Sequence, residues 1–331
     1  MKQQLPSLEI IGTGAVFPGG IGVKALCQQE PGSPGFMETL SMPSKKMPVR
    51  QVDLSHPKIA RWKAEPRLRR TSPISIFMAE AAEQALDSRH KKEERVGLVC
   101  ALSTGSIIYS RKFFSGVLSQ GRHFASPALF PETVYNSPVS HLAALFGIRG
   151  GCYTVVGDET AWVEALRIAQ VWIARKTADV VLVIAGEELD ALALDAYECA
   201  GWFRKGLVAS EGAGAVLVKK AAEDSDGSID ISDTSVTFRS KKEQVAAWEK
   251  VLLIKKDEPE FMLPGNITPP DIRNQVVLAK GLQAVSSDWG GAFTASTAWG
   301  MIQAHDYRRA RNAFQLLVPG SSAAVSSVCF K

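Results

Sequence analysis

Cysteine is sparse in this chain and poorly placed for chemistry. The five residues Cys27, Cys100, Cys152, Cys199 and Cys329 are odd in number, widely separated, and show neither Cys-x-x-Cys nor metal-ligand spacing. That argues against a disulfide framework and a zinc module, and leaves the thiols as small hydrophobes in a reducing compartment. Histidine is equally thin. His56, His90, His123, His141 and His305 are scattered, with no pair four apart beside a carboxylate, so neither a metal nor a cofactor is expected. No apolar run approaches the roughly 20 residues that cross a bilayer. Met1–Leu8 lacks the apolar centre of a secretory signal, so the expectation is a cytoplasmic chain without a membrane span. Charge of one sign is missing as well: 38 Lys and Arg stand against 34 Asp and Glu, a net charge of +4, with no aromatic–basic stripe. Nucleic acid is therefore not an expected partner.

What the chain does have is a large apolar fraction, 46% of 331 residues, which suits one large unit or two domains. Leu8–Phe17 reads as a buried strand, and Gln28–Arg50, weakly patterned with Pro, Gly and Lys, as a long loop. Arg70–Asp87 follows a Thr-Ser-Pro start signal into a helix, and Arg95–Leu102 is the next strand. Thr160–Lys176 is a second helix, Ala178–Glu187 an apolar strand, and Glu211–Lys219 a strand entered through small residues. Strands that are apolar throughout and alternate with helices predict an α/β sheet covered on both faces. The polar stretch Ala221–Asp233 is the expected boundary between a half at 1–220 and a shorter one at 221–331. Beyond it the pattern predicts a helix over Lys241–Lys256, a loop at Pro264–Pro270, a helix to about Val285, a small-residue stretch Gly290–Ala298 and an apolar segment Phe314–Phe330. No repeat is visible by residue identity.

The stretch Thr154–Leu166, TVVGDETAWVEAL, carries the functional question. A β-branched run turns into an amphipathic helix, and at that junction backbone N–H groups stabilise an anion, which is where a nucleophile is presented. The junction holds Gly157, Asp158 and Glu159, none of them a thiol or hydroxyl. The plain reading is a helix cap, and it agrees with the functional one that no nucleophile is present. Gly12-Thr-Gly14 after a strand is weak as a dinucleotide fingerprint, because the third glycine position is Phe17. His141, on the helix at Leu142–Phe146, reads as a structural histidine. The basic clusters Arg61–Arg70, Lys91–Arg95 and Arg308–Arg311 suit either a solvated face or an acidic carrier protein.

In their order, these segments resemble the β-ketoacyl synthase family, a thiolase-like layered αβαβα fold. Arg69–Leu86 resembles the family's arginine-led helix, Asn136–Gly150 the approach to the nucleophile strand, Cys152–Ala169 the nucleophile strand and helix, and Ser210–Val218 (SEGAGAVLV) its Glu-Gly-Ala-Gly-Ala strand. The family condenses acyl and malonyl units with a cysteine, two histidines and a lysine. The resemblance places Glu159 at the cysteine, Pro264 and Gly291 at the histidines and Ser286 at the lysine, so every catalytic position is substituted. The helix terminus is expected to hold Glu159 ionised. The flexible gate before the last strand is replaced by Gln315–Gly320, which Pro319 stiffens.

Degenerate members of this kind resemble the chain-length factors of type II polyketide and aryl polyene synthases. The resemblance implies a cytoplasmic heterodimer with an active β-ketoacyl synthase, docked through the strand Cys152, Tyr153, Thr154, Val155 and Val156, with an acyl carrier protein engaged through the partner. It also implies an acyl tunnel shaped by Ser110–Val134, with Phe113, Phe114, Phe124 and Phe130 as the bulky candidates, since close-packed interiors admit extra methylenes poorly. Two alternatives stand beside it: a divergent acyltransferase or malonyl decarboxylase using Glu159 or His305, and a stand-alone acyl-binding or structural homodimer.

Overall fold

The computed structural model describes residues 5–28, 31–42, 44–87, 94–222, 228–233, 239–251, 261–263, 284–286, 289–308, 314–322 and 324–331. In chain order the strands are β1 (Leu8–Phe17), β2 (Gly20–Ile21), β3 (Gly35–Glu38), β4 (Lys46–Arg50), β5 (Val96–Leu102), β6 (Cys152–Val156) and β7 (Val180–Glu187). They continue as β8 (Ala209–Ser210), β9 (Gly212–Lys220), β10 (Ser228–Asp233), β11 (Phe261–Leu263), β12 (Ala284–Ser286), β13 (Phe314–Gly320) and β14 (Ala324–Phe330). The helices are α1 (Val23–Cys27), α2 (Pro57–Ala60), α3 (Pro73–Leu86), α4 (Ile107–Gln120), α5 (Ser137–Phe146), α6 (Ala161–Ala174), α7 (Ala191–Cys199), α8 (Lys241–Val251) and α9 (Phe293–Arg308).

One five-stranded array runs β1-β9-β7-β5-β6 and a second runs β10-β14-β13-β11-β12, joined where Leu8 and Glu9 pair with Ile229 and Ser228. In each array the first two pairings are antiparallel and the last two parallel. The chain thus contains a duplicated topology that residue identity does not reveal. It arises because strand order depends on where apolar segments fall, not on which apolar residues fill them. The last strand of each array, β6 or β12, leads into one of the two central helices, α6 or α9.

Burial by strand face gives the layers. Leu316, Val318, Val328 and Phe330 join Trp162, Leu166, Trp299 and Ile302 in a core between the arrays. The opposite face of β13 and β14 meets α8, where the Gln315 amide and the Ser327 hydroxyl donate to the Val251 carbonyl at 2.6 and 3.2 Å. On the far side of the first array, α3 and α5 pack over Leu98, Leu182 and Leu217. The order is αβαβα, as the family resemblance implies. Gly12 and Gly14 lie within β1, where a Cβ would come within 2.0 Å of the Ala85 and Ala81 carbonyl oxygens, so these glycines let α3 rest on the strand.

Two expectations change. Part of Gln28–Arg50 is an antiparallel hairpin, β3 with β4, extended in parallel by β8 into a small separate sheet. Its alternation escaped the pattern because Pro48 sits within β4. At the end of the expected helix to Val285, Ala284–Ser286 forms β12, parallel to β11. Gln315–Gly320 lies within β13, with Pro319 opposite Val325 near the turn.

Candidate functional site

Between β6 and α6, Gly157 donates to the Leu102 carbonyl at 3.0 Å and closes the strand. Asp158 then accepts from the Thr160 N–H at 2.9 Å and hydroxyl at 2.6 Å, a turn just before the first residue of α6. Its other oxygen accepts from the Ser322 N–H at 3.0 Å and from the Ser322 hydroxyl. Burial works to raise the Asp158 carboxyl, but the donors of Ser322 and Thr160 outweigh it and hold the group below its ordinary range. A Cβ at Gly320 would stand 2.3 Å from Asp158 Oδ2, so only glycine lets the β13–β14 turn approach this closely.

Glu159 is buried, and its Oε2 accepts from the Ser321 N–H at 2.7 Å. Its Oε1 is buried without a hydrogen-bond partner. Burial pushes the carboxyl up to about 7 against the pull of its own N–H, and the neighbouring Asp158 charge pushes it further. The expectation that the helix terminus keeps Glu159 fully ionised is therefore corrected: desolvation of an enclosed carboxylate exceeds the stabilisation offered by the helix end.

Gly291, before α9, offers no side chain. Its N–H donates to the Val208 carbonyl at 2.8 Å and its carbonyl accepts from Ser210 N–H at 2.9 Å. The starts of the two central helices meet where the Thr297 hydroxyl donates to the Glu159 carbonyl at 3.3 Å. Ser286 lies on β12, opposite Leu263 of β11, and Pro264 falls outside the described residues. The structure thus brings the two helix starts that carry Glu159 and Gly291 together.

Three further buried carboxyls were missed by the sequence reading, and one of them, Glu187, reaches α9 at this junction. Glu187 accepts from the Ser103 and Thr104 N–H groups at 2.7 and 3.1 Å and from the Thr294 hydroxyl at 2.8 Å. Glu188 accepts from the Ser72 hydroxyl and from the Ile74 and Ile108 N–H groups. Glu211 joins the Val52 and Leu189 N–H groups at 3.1 and 3.0 Å. Burial pushes each up to about 7. For Glu187 and Glu188 the signal in the sequence was an acidic run, Glu187-Glu188-Leu189-Asp190, at the end of the otherwise apolar strand β7, where solvated charges have no place to go.

Cys100 is enclosed in β5, where burial pushes its thiol well up, and burial also raises Cys152 at the start of β6. Neither is activated as a thiolate. Intact-mass analysis after incubation with an acylated carrier protein is expected to show no adduct; a stoichiometric acyl-enzyme would contradict this. Among the described residues no three His, Cys, Asp or Glu side chains are grouped to hold a metal ion. His141 Nε2 lies 2.9 Å from Glu132 and joins Phe130–Thr133 to α5, a structural contact.

The tunnel and docking candidates are largely exposed. β6 is the open edge of the first array. Tyr153 and Val156 are exposed, and the Thr154 hydroxyl is buried without a partner. α4 has fourteen residues and not one of them is buried. Phe114 is exposed on it, Leu118 is 86% exposed, and Phe124 and Phe130 are exposed just beyond it. Phe113 holds this surface together, with ring centroids 5.4 Å from Phe114 and 5.7 Å from Phe130.

Among solved structures the chain is similar to the ishigamide ketosynthase/chain length factor, with a TM-score of 0.78, 17% identity, and 98% of this chain and 99% of that chain covered. It is similar to a β-ketoacyl synthase from Burkholderia phymatum STM815, with a TM-score of 0.77 at 13% identity, covering 98% of this chain and 99% of that one. The ketosynthase ApeO in complex with its chain length factor ApeC, from Xenorhabdus doucetiae, gives a TM-score of 0.72 at 15% identity and 98% coverage of both. These likenesses establish the thiolase-like fold. No curated protein matches the chain by sequence. The family model described as "Beta-ketoacyl synthase, N-terminal domain" matches residues 44–224, more than half of the chain and the region that contains β6, α6 and the Glu-Gly-Ala-Gly-Ala strand. The chain belongs to the β-ketoacyl synthase family.

Proposed function

We propose that this chain is a non-catalytic, chain-length-factor-like subunit that pairs with an active β-ketoacyl synthase in polyketide, polyene or fatty-acid-like synthesis. Two observations carry the reading: α4 is a helix without a buried residue, and β6 is an open strand edge. Exposed aromatics and an unpaired strand edge favour a partner that covers them. Two of the similar structures are, by their names, a ketosynthase with a chain length factor. Glu159, enclosed under Ser321, supports the absence of condensing activity in this subunit. In the assembled pair the active subunit supplies the chemistry and engages the acyl carrier protein. We infer too that the duplicated arrays mark two halves, 1–220 and 221–331. Co-expression with a β-ketoacyl synthase subunit tests the reading: a one-to-one complex is expected, and two proteins that purify separately, each well behaved, would refute it.

A malonyl decarboxylase is the second reading, favoured by the Glu159 carboxyl near 7. The enclosure of that carboxyl beneath the Ser321 turn weighs against it. Carbon dioxide released from malonyl-carrier protein by the isolated chain would support it.

Phenylalanines 113, 114 and 124 are assigned to the tunnel end of the pair. Phe114 and Phe124 are exposed in the single chain, so their truncation to Ala leaves its stability within about 0.5 kcal/mol. In the complex, each Phe→Ala change that opens the tunnel is expected to lengthen the product by the carbons the lost ring displaced. Mass spectrometry of the products measures this. Unchanged length in all three assembled variants would make these residues contacts rather than stops.

A further inference from the structure

Apart from the surface around α4 and β6, a second group of exposed apolar side chains lies on the small sheet and α7. Phe36 of β3 is 69% exposed, and Leu40, Met42 and Leu192 are exposed around it. We infer that this group is the continuation of the partner-binding surface, so that one subunit covers a single band running from α4 across α7 to the β3–β4 hairpin. The inference rests on the proposed pairing with a β-ketoacyl synthase and extends its footprint to a face that the strand edge does not reach.

Continuity along the band is set by two polar links. Arg111, Phe114 and Leu118 are spaced i, i+3 and i+7 and share one face of α4. Arg111 Nε lies 2.7 and 2.9 Å from the two oxygens of Asp190, which caps α7 and also accepts from the Leu192 N–H. Leu192 is therefore brought beside the apolar face of α4. One turn further along α7, Asp195 accepts from the Ser41 N–H at 3.1 Å and hydroxyl at 2.6 Å, which holds Leu40 and Met42 against the same helix. Lys45 pairs with Glu198 and closes the loop at its other end.

Asp190, Asp195 and Glu198 are thus already partnered within the chain. A partner that covers the leucines and Met42 need not supply counter-charges for Asp190, Asp195 or Glu198, which lowers the cost of docking an apolar surface there. The base is rigid: Ala193, Leu194 and Tyr197 of α7 pack on Met47 and Val49 of β4. A pre-ordered surface loses little entropy when it docks. A loop held by Asp195 and Glu198, with its apolar side chains turned outward, fits a protein surface better than solvent.

Photo-crosslinking in the assembled pair tests this. p-Benzoylphenylalanine is placed singly at Leu118, Leu192 and Met42 of the chain co-expressed with the β-ketoacyl synthase subunit. Crosslinks to that subunit from all three positions are expected. Crosslinks from Leu118 alone would overturn the continuous band and leave the proposed pairing standing. No complex, or crosslinks between two copies of this chain, would overturn both. As a second measurement, the double change Leu192→Glu with Met42→Glu is expected to weaken the complex about tenfold or more. The isolated chain should keep its melting temperature, because both side chains are exposed in it. An unchanged dissociation constant in that variant would also overturn the band.

Discussion

Proline at Thr154 is expected to abolish the two-subunit complex while leaving the isolated chain folded. The direction of the backbone groups on β6 decides this. Leu98 N–H donates to the Gly151 carbonyl at 2.9 Å, and Gly157 N–H to the Leu102 carbonyl at 3.0 Å. In a parallel ladder of that register, the odd-numbered residues of β6 pair with β5, and Cys152, Thr154 and Val156 direct their N–H and C=O groups away from the sheet. Thr154→Pro removes an outward donor and leaves the ladder to β5 in place, the position on an edge strand where proline is tolerated. A partner strand would lose a hydrogen bond and meet the pyrrolidine ring. Thr154→Val is the companion change: it removes the unpartnered hydroxyl but keeps the N–H, and it should assemble. Size-exclusion chromatography with light scattering distinguishes the two. A Thr154→Pro complex of normal affinity would rule out strand pairing through β6.

A second large effect is expected in the pH dependence of stability. Glu159, Glu187, Glu188 and Glu211 are each raised from 4.5 to about 7 by burial. As pH rises through 4.5 the unfolded chain releases these protons, whereas the folded chain keeps them until about 7. The folded state therefore binds more protons across that window, and stability falls from about pH 4.5 to 7 and then levels off. A shift of that size corresponds to about 3 kcal/mol per carboxyl, reduced where the groups share one environment. Asp158 and Glu132 act in the opposite sense, since their carboxyls are held low; their stabilisation is present above their unfolded values and lost in stronger acid. The most stable condition is thus mildly acid. Urea unfolding at pH 5, 6, 7 and 8 measures the slope, and Glu187→Gln should remove about one proton from it. Stability that is constant or rises between pH 5 and 7 would show that these carboxyls are ionised in the folded chain.

The two predictions draw on different levels of the molecule. That β6 precedes a helix could be read from TVVGDETAWVEAL, because a β-branched run followed by an amphipathic period is a local pattern. That Thr154 faces outward could not, since facing depends on which side β5 occupies. The hairpin of β3 and β4 stayed hidden for a related reason: its apolar residues are few, and one face supports Leu194 and Tyr197 of α7 more than a hundred residues away.

The αβαβα class came with the resemblance to the β-ketoacyl synthase family. By itself the sequence determined the alternation of strands and helices and the missing thiol at the start of α6. Each of these is decided within a dozen residues by periodicity, side-chain size and chemical identity. Tertiary structure alone decided that Asp158 and Glu159 reach Ser322 and Ser321, 164 and 162 residues later, and that the two arrays repeat one topology. It also decided that Glu159 is enclosed. Ionisation of a carboxyl depends on the atoms that exclude water from it, and those atoms come from segments the local pattern never joins.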